Sequence, residues 1–254
     1  MIKIALIGGG NLAWHLANIF AKTKGVELSF MYNKTIGPIQ EFEKVTCITD
    51  EINSIKNVDL IIICVTDSAI SEVSNFIENN NTLIVHTSGA TSLNVLNKHN
   101  HRGVFYPLQS FNKNRKIDFD KIPICIETNQ IEDYLLLESL AKLLSSQVIQ
   151  IDSSQREKIH LSAVFVNNFV NHLYFLGYDF LEQNLIDPNI LFPLIKETAQ
   201  RVKKVSPYNA QTGPAKRKDT NTIENHLKLL EGLEIKTIYE ILSNSIADTY
   251  AKKL

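Results

Sequence analysis

The sequence predicts an α/β protein, with a doubly wound parallel sheet over residues 1–152 and an all-helical domain over residues 153–254. Three observations carry this expectation. Through residue 151, short apolar runs alternate with stretches of helical periodicity. One of those runs, Leu60-Ile61-Ile62-Ile63-Cys64-Val65, is apolar at every position, as in a strand covered by helices on both faces. Beyond Ile151-Asp152-Ser153-Ser154 no further strand pattern occurs.

The first strand, Ile2–Ile7, runs into Gly8-x-Gly10-x-x-Ala13 and a helix over residues 11–23. Gly8 permits the tight turn, Gly10 leaves room for a pyrophosphate, and Ala13 lets the helix pack closely on the strand. The free N–H groups of the helix face the phosphates. Leu12, Leu16, Ile19 and Phe20 at helical spacing supply the context that a bare glycine pattern lacks. The expected reading is a Rossmann-like dinucleotide site, with Gly8, Gly9, Gly10, Asn11 and Leu12 against the cofactor, and the alternative is an ordinary strand–turn–helix without a ligand.

The second strand, residues 28–33, ends at Asn33-Lys34-Thr35. An NAD site usually carries Asp or Glu at that end to hold the ribose 2′-hydroxyl. Here there is none, and Glu27 stands before the strand rather than at its end. Lys34 offers charge, and Asn33 and Thr35 offer hydrogen bonds, to a 2′-phosphate. The expected cofactor is therefore NADP(H) rather than NAD(H), and the missing acid also counts against a methyltransferase using S-adenosylmethionine.

A helical pattern over 38–44 precedes the apolar strand 59–65, which ends in Val65-Thr66-Asp67. Ligands bind beyond the carboxyl ends of such strands, so these three residues are expected over the cofactor. Asp67 alternatively caps the next helix, residues 69–78. Asn79-Asn80-Asn81 reads as a turn. The strand Leu83–His86 leads into Thr87-Ser88-Gly89, where Ser88 is a candidate donor near the nicotinamide, or a satisfied turn residue. Strands over 104–106, 122–127 and 148–151 and a helix over 132–144 complete this half, and Tyr106-Pro107-Leu108-Gln109 is a weaker candidate at a strand end.

In the second half, Ser154-Gln155-Arg156-Glu157 is a capping-box spelling that opens a helix running to about residue 184. A second helix over 188–205 contains Pro193, which kinks it or marks its true start. A loop over 206–219 and helices over 222–231 and 235–254 complete the chain. On the long helix, His160, Val164, Asn168, Asn171 and His172 are spaced three or four apart, a polar stripe that a neighbouring cleft would explain. In the loop, Arg217 could clamp a substrate carboxylate, and Asp219 could orient His226 or cap the next helix.

Bulk properties exclude several classes. A net charge of −1 argues against a nucleic-acid surface, and no stretch approaches the length needed to cross a membrane. The N-terminal apolar run ends in the glycine turn and is too short for a signal peptide. Three widely separated cysteines show no metal spacing and read as buried, reduced thiols of a cytoplasmic protein.

Taken together, Gly8-Gly9-Gly10-Asn11-Leu12-Ala13, His86-Thr87-Ser88-Gly89, the segments 103–109 and 160–169, and Gln211-Thr212-Gly213-Pro214-Ala215-x-Arg217-x-Asp219 with Asn225-His226-Leu227 resemble one family. Its members are NADP-dependent oxidoreductases that join a Rossmann-like domain to a helical C-terminal domain of poorly defined function. They are similar in layout to pyrroline-5-carboxylate reductase, ketopantoate reductase and 6-phosphogluconate dehydrogenase. The resemblance places His160, Asn168, Arg217, Asp219 and His226 on family motif positions. Lys218 departs from the glycine common there, and Val164 stands where hydroxyacid-dehydrogenase relatives carry a catalytic lysine.

The expected activity is that of an NADPH-dependent reductase acting on a small carbonyl or imine compound that bears a carboxylate. Asn168 would orient the substrate, His160 or His226 would supply the proton, Ser88 would assist, and Arg217 would hold the carboxylate. The alternative is a non-catalytic NADP(H) sensor. A homodimer through the helical domain is expected, with no metal, nucleic acid or membrane partner.

Overall fold

A computed structural model describes residues 1–78 and 81–251. The chain divides into two compact units, Met1–Asn168 and Phe169–Leu254. The first contains strands β1 (Ile2–Ile7), β2 (Val26–Tyr32), β3 (Cys47–Thr49), β4 (Leu60–Ile63), β5 (Leu83–His86), β6 (Arg102–Pro107), β7 (Ile124–Thr128) and β8 (Val148–Gln150). They form one sheet in the order β3-β2-β1-β4-β5-β6-β7-β8. The first six adopt the doubly wound dinucleotide-binding order.

The two central strands explain the unbroken apolar runs. Ile4, Leu6, Leu60 and Ile62 pack on one face with Ala13, Leu16 and Phe20, while Ala5, Ile7, Ile61 and Ile63 pack on the other with Ile70 and Leu96. Both faces are dry, so neither parity of the strand tolerates a polar residue. Helix α1 (Asn11–Phe20) follows β1, α2 (Ile70–Asn75) follows β4, and α3 (Ile131–Leu144) follows β7.

Several expectations need correction. Neighbouring strands are parallel except β6 and β7, which are antiparallel. The connection between them holds only a 3₁₀ turn, Phe119–Lys121, so no helix carries the chain back across the sheet. The helix expected over 38–44 is a 3₁₀ segment, Gly37–Phe42, and a three-residue edge strand, β3, lies just beyond it. Asn79 and Asn80 of the Asn-rich turn, and the last three residues of the final helix, lie outside the described residues. Cys47 is exposed, against expectation, whereas Cys64 and Cys125 are buried, and burial pushes the Cys64 thiol up to about 12.

Helix α4 (Ser153–Ala163) is capped earlier than its sequence suggests. Asp152, not Ser154, accepts from the Gln155 N–H at 2.7 Å, and the Gln155 side chain accepts from the Asp152 N–H at 3.0 Å. Ser153 turns inward instead, its N–H and hydroxyl donating to Glu127 at 3.0 Å. The compact unit therefore extends past the expected boundary at residue 152, because α4 is tied to the sheet. Arg156, fully buried, ion-pairs with Glu127 of β7 and donates to the Thr91 carbonyl at 2.5 Å and to Ser153 Oγ at 3.2 Å.

A π-helical turn, Val164–Phe169, follows α4 and contains the division between the units. The second unit comprises α5 (Val170–Gln183), α6 (Phe192–Arg201), α7 (Pro207–Ala210), α8 (Pro214–Arg217), α9 (Thr220–Leu229) and α10 (Ile235–Ala251), with no strand among its described residues. Pro193 marks the true start of α6, after a 3₁₀ turn at Pro188–Leu191. Lys218 ends α8 in the left-handed conformation at φ +58°, the geometry that makes glycine common there. Ala215 and Leu230 are the only described apolar residues buried in this unit, whereas Leu185, Ile190, Phe192 and Leu194 are exposed. Among the described residues no helix is long and apolar enough to cross a membrane, and no cluster of His, Cys, Asp or Glu could hold a metal ion.

Candidate active site

The glycine turn builds its cleft from backbone. Gly8 sits at φ +122°, and a Cβ there would lie 2.3 Å from the Cys64 carbonyl oxygen, so β1 and β4 approach this closely only around glycine. Gly10 caps α1 in an extended conformation, and no side chain accepts the first helical N–H groups. The first turn carries no acid. A Cβ at Gly10 would meet nothing within 4 Å, leaving an open cradle in front of a positively polarised helix end. Free N–H donors, a first helical turn without an acid and unfilled space match the needs of a pyrophosphate.

The dinucleotide cleft over this turn has a volume of about 600 Å³. Gly8 to Leu12, Asn33, Val65, Thr66 and Asp67 line it, while Lys34 and Thr35 are exposed outside its lining. The Asn33 side chain donates to the Thr35 carbonyl at 2.9 Å and so shapes the turn after β2. Asp67 does not cap a helix. Thr66 holds the cap position of the short 3₁₀ turn, and Asp67 stands exposed on the cleft wall.

Thr87, Ser88, Gly89 and His160 also line this cleft. The Ser88 hydroxyl is committed to its own turn, accepting from the N–H groups of Ala90 and Thr91 at 3.1 and 2.9 Å and bonding Thr91 Oγ1 at 2.9 Å. The satisfied-turn reading of Ser88 is the one its contacts match. His86, fully buried at the end of β5, accepts from the Ser88 N–H at Nδ1, and its Nε2 has no partner. Burial foremost, then the Arg156 charge, holds its pKa down at about 4, so the ring is neutral.

His160 lies one helical turn after the buried Arg156. Its Nδ1 shares a 3.1 Å hydrogen bond with the Tyr106 hydroxyl, and the two rings meet edge-on with centroids 6.1 Å apart. Both press on Gly89, where a Cβ would stand 2.6 Å from His160 Nδ1 and 2.7 Å from Tyr106 Cζ. His160 also lines a second, adjoining cleft of about 770 Å³, together with Tyr106, Gln109, Lys158, Asn167 and Asn168. Burial pushes the Tyr106 phenol up to about 12, so it stays protonated at neutral pH.

Tyr106 is the residue that sequence reading undervalued. Its signals were a strand-end position and its place in the family-like segment 103–109, and neither links it to His160, 54 residues away. Of the polar stripe on the long helix, His160, Val164 and Asn168 line one cleft. The i→i+5 bonding of the π-turn breaks the 3.6-residue spacing before Asn171 and His172. Asn168, Asn171 and His172 are exposed rather than buried, and His172 stacks on Phe175.

The remaining candidates belong to the second unit. Asp219 caps α9, its carboxylate accepting from the Thr222 N–H at 3.1 Å and hydroxyl at 2.7 Å, and these bonds hold its pKa below the usual range. His226 Nδ1 bonds the Tyr239 hydroxyl at 2.8 Å beside an apolar cavity of about 420 Å³. Asp219 thus serves as a cap, and the partner of His226 is Tyr239. Arg217 ends α8.

Similarity to known proteins spans both units. Residues 122–246 match a family described as a domain of unknown function (DUF2520). No protein of curated function matches the chain. A provisionally assigned NADP oxidoreductase from Bacteroides fragilis is 39% identical over 97% of this chain and 98% of its own, with a TM-score of 0.89. A Thermotoga maritima protein is 21% identical over 98% of this chain and 99% of its own, at TM-score 0.76. An imine reductase from Myxococcus stipitatus, in complex with NADP⁺, shares the fold at TM-score 0.63, with 13% identity over 98% of this chain and 93% of its own.

Proposed function

The chain belongs to the family of NADP oxidoreductases that join a Rossmann-like N-terminal domain to a helical C-terminal region, and from that premise we propose that it reduces a small carbonyl or imine compound bearing a carboxylate. The observation that carries this reading is His160, which lines both the dinucleotide cleft and the adjoining 770 Å³ cleft. A substrate in the second cleft would reach the reduced nicotinamide beside a titratable side chain. NADPH supplies the hydride when bound.

Each residue then has a task. The backbone of Gly8 to Leu12 holds the pyrophosphate, and Val65, Thr66 and Asp67 wall the cofactor. Lys34, with Asn33 and Thr35, meets the 2′-phosphate. Asn168 orients the substrate, and proton supply falls to His160, which lines both clefts, rather than to His226, which lines neither. One cation, Lys158 in the second cleft, supports the preference for a carboxylate. Asp219 holds the start of α9, and Ser88 holds the turn beside Gly89. The exposed Phe192, Leu194 and Ile190 support a homodimer through the helical unit, and we place the enzyme in the cytoplasm.

Calorimetry with NADPH and NADH, then loss of NADPH absorbance across a panel of 2-oxo acids and cyclic imino acids, tests this. NADPH is expected to bind more tightly, and at least one compound to be reduced. Gly10→Ala should weaken NADPH binding by about tenfold or more while leaving the unfolding midpoint unchanged, since its Cβ meets no protein atom. NADPH binding without turnover of any compound would replace the enzyme with a sensor.

A further inference from the structure

We propose that the Tyr106 hydroxyl is the proton donor to the substrate, and that His160 acts through it as the proton source behind. This rests on the reductase reading and assigns the acid step of that site to a second residue.

Tyr106 Cζ and the His160 ring are the nearest atoms to a Cβ at Gly89, so the hydroxyl-bearing end of the tyrosine sits at the turn that follows β5, where the dinucleotide cleft ends. Tyr106 lines the second cleft and not the first, whereas His160 lines both. The Nδ1 of His160 already faces the Tyr106 oxygen at 3.1 Å. A proton on Nδ1 therefore reaches a molecule in the second cleft through the phenol oxygen. Held up to about 12 by burial, the phenol keeps its own proton until a developing negative charge on substrate takes it.

NADPH, when bound, would supply a hydride to the carbonyl or imine carbon, and the π pair of C=O or C=N would then move to oxygen or nitrogen. That atom takes the Tyr106 proton. The phenolate takes the Nδ1 proton of an imidazolium at His160, which becomes neutral imidazole and is reprotonated from water. Besides His160, the groups whose charge reaches Tyr106 are Arg156 on α4, Asp67 beyond β4 and the Cys125 thiol on β7, and Lys158 stands on the same helix as His160.

The test uses the full chain, with and without NADPH. Tyr106→Phe keeps the ring and should lower kcat by about a hundredfold or more, with NADPH affinity and KM close to wild type. Wild-type kcat is expected to fall toward alkaline pH, and His160→Gln should lower kcat less than Tyr106→Phe and abolish that fall. In the cofactor-free protein, the ¹⁵N resonance of His160 Nδ1 should shift on Tyr106→Phe, a readout independent of turnover. If wild type reduces a substrate and Tyr106→Phe does so equally well, or the His160 resonance does not move, the donor assignment falls while the reductase reading stands. If wild type neither binds NADPH nor reduces any compound of the panel, the reductase reading falls and takes the donor assignment with it.

Discussion

Gly89→Ala adds one methyl group at the most crowded point of the candidate site. Its backbone is not in the left-handed region, so alanine suffers no conformational strain there and the effect belongs to the side chain alone. The new Cβ would stand 2.6 Å from His160 Nδ1, 2.9 Å from His160 Cγ and 2.7 Å from Tyr106 Cζ. Comfortable contact between such atoms is about 3.5–4.0 Å, so both rings must retreat by about 1 Å. A retreat of that size stretches the 3.1 Å Tyr106–His160 hydrogen bond beyond hydrogen-bonding reach. Overpacking of this kind costs about 1–3 kcal/mol of stability, and a misplacement of about 1 Å in an active site costs about a hundredfold in rate. Urea unfolding should therefore show a modest loss and turnover a large one, with NADPH affinity changing least because the glycine turn is untouched. Gly10→Ala should do the reverse, weakening NADPH binding at no cost in stability. Wild-type turnover in Gly89→Ala would refute the placement of both rings.

The buried charges and the β2 turn yield further expected outcomes. Arg156→Met leaves Glu127 without its partner and should destabilise the chain by about 3–5 kcal/mol in urea titrations, with part of the loss recovered by adding Glu127→Gln. His86 is held neutral with its pKa at about 4, below the ordinary 6.5, so the unfolded chain binds the proton first as pH falls. Its contribution is fully present above the unfolded value and is lost as pH drops from about 6.5 to about 4, about 3 kcal/mol in all. The slope of unfolding free energy against pH in that window should flatten in His86→Asn. Lys34→Glu should weaken NADPH binding by about tenfold or more and leave NADH binding nearly unchanged, measured by calorimetry. Equal loss for both cofactors would remove Lys34 from 2′-phosphate recognition.

The features legible in the sequence are those whose cause is local. Gly8-x-Gly10-x-x-Ala13 announces its turn because the steric demands fall within six residues, and the cleft forms there. Leu60–Ile63 announces a strand buried on both faces because each face needs its own apolar residues. The helix start near Ser154 was also legible, but two spellings compete within three residues, and Glu127 of β7 decides between them by drawing Ser153 inward. The stripe from His160 was legible as far as Asn168, which shares its cleft, but a 3.6-residue count assumes an unbroken α-helix, and the π-turn at Val164–Phe169 changes the register beyond it.

By itself the sequence determined the α/β class, the dinucleotide cleft and the absence of an acid after β2, all consequences of steric fit and charge among neighbours in the chain. Tertiary structure alone decided which side chains meet where that cleft adjoins the second one. His160 meets Tyr106 because Arg156 buries its charge against Glu127 and so anchors α4 on the sheet, and because Gly89 lacks the one carbon that would hold the two rings apart. Those are contacts between residues distant in sequence, and no periodicity or local motif records them.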